Sequence, residues 1–247
     1  MVNYNEYSIP LKMKLLYALS AVAVVFAISY MFYRSVIISI IISPLGIFYL
    51  KYKRKQIIHK RKRELNLQFK DLLISLSSSL SAGKPLEKSF VGALSDLYVL
   101  YPSDDAYIVQ ESKIIINKLS LNVSIEDAIS DFADRSDIDD IKNFSDVIII
   151  CKRTGGNLIE AIKNSSRIIS EKIEMKQEIE TLLSSRKFEQ KILNIMPIAM
   201  IFVLSITATE YIKPVFTTVT GRISVTLCLI LLISAYLISN KIMNIKL

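Results

Sequence analysis

Residues 15–63 read LLYALSAVAVVFAISYMFY, then RS, then VIISIIISPLGIFYL, then KYKRKQIIHKRKR. The two apolar runs, Leu15 to Tyr33 and Val36 to Leu50, contain no Asp, Glu, Lys or Arg, and only Arg34 and Ser35 separate them. A helix needs about 20 residues to cross roughly 30 Å of hydrocarbon, with a range near 17 to 25. The first run is therefore long enough. The second is short, and reaches across only with local bilayer thinning or snorkelling of the flanking Lys51. The far end of the chain repeats the arrangement: Ile192 to Thr209 and Ile223 to Ser239 also contain no Asp, Glu, Lys or Arg, and Arg222 and Lys241 flank the shorter one. Apolar runs paired at both ends of one chain rarely serve a single globular core. The pattern predicts an all-α protein with four transmembrane helices in two hairpins. Pro44 and Pro197 fall inside spans and kink them, which membrane helices tolerate where neighbouring groups satisfy the freed carbonyls.

The first run has a basic start at Lys12 and Lys14, as a secretory signal would. It lacks a small-x-small cleavage site and a second apolar run follows at once, so it reads as a retained span. Cytoplasmic loops concentrate Lys and Arg. Eight basic residues (Lys51, Lys53, Arg54, Lys55, Lys60, Arg61, Lys62, Arg63) follow the first hairpin, whose own turn offers only Arg34. Both termini and the large central segment are therefore predicted to be cytoplasmic, leaving outside only the turn at Arg34 and the stretch Glu210 to Gly221. The basic collar sets topology and lies against anionic headgroups, worth about 1 kcal/mol per charge near the surface. Only Tyr52 is interleaved with its charges, so no aromatic platform for stacking nucleic-acid bases is present. The four segments are then an N-terminal hairpin over 1–50, the collar over 51–63, a cytoplasmic bundle over 64–190 and a C-terminal hairpin over 191–247.

The chain of 247 residues is 51% hydrophobic and 22% charged with a net charge of +8. The middle inverts that sign: from Glu64 to Gln190 there are 15 Lys/Arg and 21 Asp/Glu, a net of −6. Density peaks at Glu126, Asp127, Asp131, Asp134, Asp137, Asp139, Asp140 and Asp146. A solvated face accounts for this, and so does a docking surface for a basic partner, with Asp134, Asp137, Asp139 and Asp140 as its candidates.

The central segment has helical periodicity throughout. Leu65, Phe69, Leu72, Leu73, Leu76 and Leu80 line one face, as do Ile125, Ala128, Ile129 and Phe132. Val147 to Ile150 alone suits a buried strand, but Ile141, Phe144 and Cys151 extend it at helical spacing. Gly83, Asn122 and Gly155 each close a helix, because Gly and Asn accept the left-handed conformation. Each is followed by a restart: Lys84-Pro85, Ser124 with Asp127, and Asn157 with Glu160, the last two resembling capping boxes. Further breaks fall near Pro102 to Asp104 and near Ser136. Six helices result, over roughly 64–81, 85–98, 104–121, 125–135, 138–153 and 157–190. The segments AGKPLEKSF, LNVSIEDAI and TGGNLIEAI align with Gly83, Asn122 and Gly155 in register, and Leu86, Ile125 and Leu158 three residues on. Helix, tight corner, helix, three times over, suits an antiparallel bundle. The last helix carries Ile162, Ile169, Ile173, Ile179 and Leu183 and leads toward the third span as a stiff lever.

Catalytic chemistry finds no foothold. Gly83-Lys84 fails as a phosphate loop, because Ser78 stands where glycine is needed and Pro85 where Ser or Thr is needed. Thr154-Gly155-Gly156 follows no strand and is no dinucleotide fingerprint. His59 has no partner group, and Ser75 to Ser79 has no base to activate a hydroxyl. Cys151, Cys228 and one histidine cannot make a four-ligand zinc site, so no cofactor or metal is expected. The spans carry no ionisable group for a proton relay.

Three stretches resemble the F-domain platform proteins of type II secretion and type IV pilus machines. Leu72 to Phe90 (LLISLSSSLSAGKPLEKSF) resembles that family's first helix pair, and Cys151 to Ala161 (CKRTGGNLIEA) its second corner. Glu210 to Arg222 (EYIKPVFTTVTGR) is similar to the outer loop of the tight-adherence (Flp) pilus branch, the TadB proteins. The resemblance covers Phe69 to Leu247 and implies a non-enzymatic platform in a bacterial or archaeal plasma membrane. Such a platform couples a cytosolic hexameric secretion ATPase to the extraction and assembly of pilin subunits, beside a sister TadC-like F-domain protein or a second copy of itself. Gly83, Leu86, Thr154, Gly155, Gly156, Asn157 and Leu158 match the family's corner positions; Asn122 stands where glycine is common. A different class, a membrane receptor signalling through a cytosolic helical domain, would need an external sensor, for which Glu210 to Gly221 leaves little room.

Overall fold

The computed structural model describes residues 3–6, 10–208, 210, 214–216 and 218–243. Its regular elements, among the described residues, are helices: α1 (Leu11–Tyr33), α2 (Val36–Ile42), a 3₁₀ segment (Ser43–Phe48), α3 (Tyr49–Ser81), α4 (Leu86–Leu100), α5 (Tyr107–Ser120), α6 (Ile125–Ser136), α7 (Asp139–Thr154), α8 (Leu158–Thr207) and α9 (Val219–Met243). Two compact units divide the chain: Met1–Ser8 with Arg54–Met175, and Ile9–Lys53 with Lys176–Leu247.

The first unit packs its helices around a core that is the set of stripes periodicity picks out. Leu65, Phe69, Leu72, Leu73, Leu76 and Leu80 of α3 are all buried, as are Ile125, Ala128, Ile129 and Phe132 of α6. Phe69 is the hub: its ring meets Phe132 edge-on at 6.0 Å and Phe144 at 5.5 Å, geometries that aromatic pairs prefer. Ile162, Ile169 and Ile173 bring the first turns of α8 into the same core. The segment Val147 to Ile150 is helical, within α7. The fifth helix of the chain starts at Tyr107, later than the Asp104 expected, because residues 103–106 are held as a turn. There Ser103 Oγ accepts from the Asp105 N–H, while Asp104 takes the Tyr98 hydroxyl and the Lys113 ammonium. Once started, α5 is capped from outside: the buried Gln68 of α3 accepts the Ile108 N–H at 3.1 Å.

The three corners share one geometry. Gly83, Asn122 and Gly155 sit at φ of 78°, 58° and 68°. The next residue's N–H reaches back five positions in each case: Lys84 to the Ser79 carbonyl at 3.3 Å, Val123 to Lys118 at 3.0 Å, Gly156 to Cys151 at 2.9 Å. This is the Schellman closure, which satisfies carbonyls that a helix end otherwise strands. The following helix begins three residues past the left-handed position every time, at Leu86, Ile125 and Leu158. Ser124 Oγ and Asn157 Oδ1 accept the N–H of Asp127 and Glu160 as the capping pattern requires. Pro85 occupies the cap position itself, one residue before the first turn.

Sequence boundaries drawn from composition dissolve in two places. The basic collar and the first bundle helix belong to one helix, α3, because Lys and Arg are good helix formers and nothing between Tyr49 and Ser81 stops the winding. Likewise the last bundle helix and the third apolar run are a single α8 with Pro197 inside it.

Among the described residues, three helices are long and apolar enough to cross a membrane: α1, α8 and α9. The run Val36 to Leu50, expected as one span, is instead α2 followed by 3₁₀ turns, and its apolar helical part is shorter. Pro44 is the cause. It has no N–H to give the Ile40 carbonyl, so the Ser43 hydroxyl donates there at 3.0 Å and the chain winds more tightly. This arm packs on α1 through small groups. Ser39 is buried, and a Cβ added to Gly46 would stand 2.9 Å from the Ala21 backbone. Close backbone approach at small residues is how helices associate without a hydrophobic drive between them. Arg34 closes α1 in the left-handed conformation and lays its guanidinium 5.9 Å from the Phe216 ring centre.

Nothing stands within 4 Å of a Cβ built on Gly155, so a side chain there meets backbone strain alone. Gly155→Val is expected to lower the thermal unfolding temperature of the detergent-solubilised protein, by about 1 kcal/mol or more in stability, while Gly155→Asn loses much less. Equal losses for the two would remove the left-handed corner as the cause.

Candidate functional site

The acidic peak between Glu126 and Asp146 separates into two populations. Asp140 lies inside the bundle, where it takes the Lys172 ammonium and the Asn66 amide. Asp131 is held by Lys118 at 2.7 Å and Arg135 at 2.9 Å, and Glu126 by Lys152 at 2.5 Å. Asp134, Asp139 and Asp146 remain on the surface. Of the four candidates for docking, Asp134 and Asp139 are therefore free to meet a partner, and Asp140 is structural.

Asp137 joins the docking candidates to the collar. It closes α6 in the left-handed conformation at φ 48°, a conformation the sequence reading assigned only to Gly83, Asn122 and Gly155. Aspartate tolerates that region because its short polar side chain bonds locally. Lys142 and Lys62 both pair with its carboxylate, Lys62 at 2.9 Å, and Lys62 also donates to Asn5 Oδ1. Hydrogen bonds from Lys142 and then Lys62 hold the Asp137 carboxyl down at about 2.

The collar itself is not a uniform lipid-facing stripe. Arg54, Lys55, Lys60 and Arg63 are exposed. Lys62 turns to Asp137, and Arg61 sits 5.9 Å from the Tyr107 ring. Lys53, which belongs to the other unit, lies over Tyr17 at 5.7 Å. The side chain of Lys51 falls outside the described residues. At the corners, Thr154 Oγ1 donates to the Ile150 carbonyl at 2.9 Å, and Leu86 and Leu158 pack against the core. These residues, with Gly156 and Asn157, build the turn.

One constellation escaped the sequence reading. Glu111, with its side chain 1% exposed, receives both guanidinium nitrogens of Arg135, at 2.7 and 2.5 Å. The Tyr4 hydroxyl donates to the same carboxylate at 2.9 Å, and the Tyr4 N–H donates to the Arg135 carbonyl at 3.1 Å. Tyr4 is wholly buried and meets Tyr107 edge-on at 5.7 Å. Burial, followed by the Glu111 carboxylate, pushes the Tyr4 hydroxyl well above the phenol range, so it remains a donor. No local signal marks this pairing, since its members are separated by up to 107 positions.

No family model, curated protein or solved structure matches the chain.

Removing one partner of the buried pair strands the other. Arg135→Met is expected to destabilise the protein by about 3–5 kcal/mol, and Glu111→Leu with Arg135→Met to recover most of that, measured by denaturant unfolding in mild detergent. Asp137 gives a pH signature. Its folded value is depressed, so its contribution is present above the unfolded value of about 4 and lost as pH falls through about 2. Asp137→Asn keeps the left-handed preference and removes the charge. The stability gap between wild type and this variant should close as pH falls from about 4 to about 2, and a gap constant over that window would refute the assignment.

Proposed function

We propose that this chain is a platform protein of a type IV or Flp-type pilus or type II secretion-like machine in a bacterial or archaeal plasma membrane. It takes the conformational cycle of a cytosolic hexameric ATPase through the bundle and delivers it to helices that stand beside pilin subunits in the bilayer. The observation that carries this reading is α8. Its first turns bury Ile162, Ile169 and Ile173 in the bundle core, and the same unbroken helix continues through an apolar stretch long enough to cross a membrane. The bundle end and the apolar stretch are thus joined by helix with no intervening loop. The resemblance at Leu72 to Phe90, Cys151 to Ala161 and Glu210 to Arg222 supplies the family. The repeated corner agrees with it. Exposed Asp134 and Asp139 are the charges available to the ATPase; a sister platform protein or a second copy completes the assembly.

A four-span topology belongs to this proposal, and Tyr4 supports it. With Tyr4 seated against Arg135, residue 4 and the bundle are on one face of the membrane, so the chain between them crosses an even number of times. If α1 crosses, the arm of α2 and its 3₁₀ extension returns. Its packing on α1 at Gly46 and its uncharged sequence suit that role, and bilayer thinning accommodates its length.

Two measurements test the reading. Tagged full-length protein purified from native membranes should bring with it a secretion ATPase and a second bundle protein, and charge reversal at Asp134 and Asp139 should reduce ATPase recovery; repeated recovery of a folded protein without any ATPase would overturn the role. In a background without Cys151 and Cys228, an impermeant thiol reagent on intact cells should modify Thr218→Cys and spare Lys113→Cys. The reverse labelling inverts the topology.

A further inference from the structure

Two ion pairs tie α8 to other helices of the bundle, and each has a duplicate one turn further along α8. Lys172 gives its ammonium to the buried Asp140 of α7, and Glu174 takes Lys70 of α3 at 2.8 Å. Four residues on, the sequence repeats both charges as Lys176 and Glu178, and among the described residues neither forms an ion pair. Residues four apart lie on one face of a helix. A translation of α8 by one turn, about 6 Å along its axis, therefore brings Lys176 to Asp140 and Glu178 to Lys70. The buried face of α8 suits such a move. Between Ile162 and Ile169 it carries Ser165 and Ser166, so the ridges that interlock with neighbouring helices are low there. The cost falls on Gln177, which takes the place of Ile173, and on the first turn, which unwinds and loses the cap that Asn157 gives to the Glu160 N–H. The second position is the less stable one.

The connection fixes the direction. Moving α8 toward its own N-terminus gives slack, because the unwound turn lengthens the corner. Moving it the other way would stretch a connection of three residues, Gly155 to Asn157, and would bring Ile168 and Ser170 to Asp140 and Lys70. The same corner holds an independent sign. Gly155 needs glycine for its positive φ, but Gly156 is not at positive φ, and a Cβ built on it meets nothing closer than 3.6 Å, an ordinary contact. The other two corners carry Lys84 and Val123 at this place. The closed corner thus gives no reason for a second glycine, whereas a corner that opens does, since glycine takes up a changed backbone most freely.

We propose that α8 is a two-position ratchet on the bundle, stepping one turn toward the Gly155–Asn157 corner by exchanging Lys172 and Glu174 for Lys176 and Glu178. One-turn steps of packed elements are a known form of switching, because interlocked side chains allow discrete positions and resist intermediate ones. The step goes beyond the platform reading and stands without any ATPase; under that reading it is the moving part.

The test uses the full-length protein in mild detergent, lacking Cys151 and Cys228, with spin labels at Arg153→Cys and Thr181→Cys, both exposed positions. Electron double resonance then reads the distance from the corner to a point well along α8. Lys172→Glu repels Asp140 in the present position only, and should raise a component about 6 Å shorter by roughly tenfold. Adding Lys176→Gln should remove that component. Glu174→Lys breaks the exposed tie without touching the core; it should raise the same component, and Glu178→Gln should cancel the effect. Gly156→Ala should lower the component about threefold while the unfolding temperature holds. A single unchanged distance in both charge-reversal variants overturns the ratchet, as does a shorter component that persists when Lys176 and Glu178 are replaced. Loss of the original distance without the shorter one in Lys172→Glu counts against it equally when Glu174→Lys stays folded and unshifted.

Discussion

Three residues held at positive φ determine how the bundle is put together. At Gly83, Asn122 and Gly155 the chain reverses in the fewest residues possible, and the backbone bond that reaches back five positions consumes a carbonyl the preceding helix would leave open. Because the next helix always begins at the same offset, its buried stripe starts in the same phase. Leu86, Ile125 and Leu158, the first residue of each helix, all pack against the core. Register is thus inherited from a backbone conformation, and hydrophobic side chains fill the space that it defines.

A second layer of order comes from charge placed indoors. The Glu111–Arg135 pair is satisfied by Tyr4 and Asp131, and Asp140 by Lys172 and Asn66. Buried pairs of this kind add little net stability against apolar substitutes, yet they penalise every arrangement that separates them. In an all-helical bundle, where apolar faces are interchangeable, this is a source of specificity.

The fold was legible wherever the signal is local. Corners are written in single residues and their caps, and the stripes in a 3.6-residue period, so both were found. What the sequence hid is long-range. Gln68 caps a helix forty residues away, and Asp140 looked like surface because density along the chain says nothing of a lysine on another helix. Composition also misleads at boundaries: the shift from basic to acidic at 63–64 is sharp on paper, but α3 passes through it because helix winding depends on backbone groups. The candidate site was partly readable. Asp134 and Asp139 are exposed, while Asp137 and Lys62 satisfy one another.

Tyr4 has a consequence for the order of events during synthesis. Its hydroxyl partner lies 107 residues downstream, and Arg135 follows later still. A ribosome adds about 5–20 residues each second, so the first tyrosine waits several seconds, until α1 and the arm behind it have left the exit tunnel, before its seat exists. Tyr4 is thus seated only after the chain through Arg135 of α6 has been made. Its docking therefore waits on Glu111 and Arg135 together.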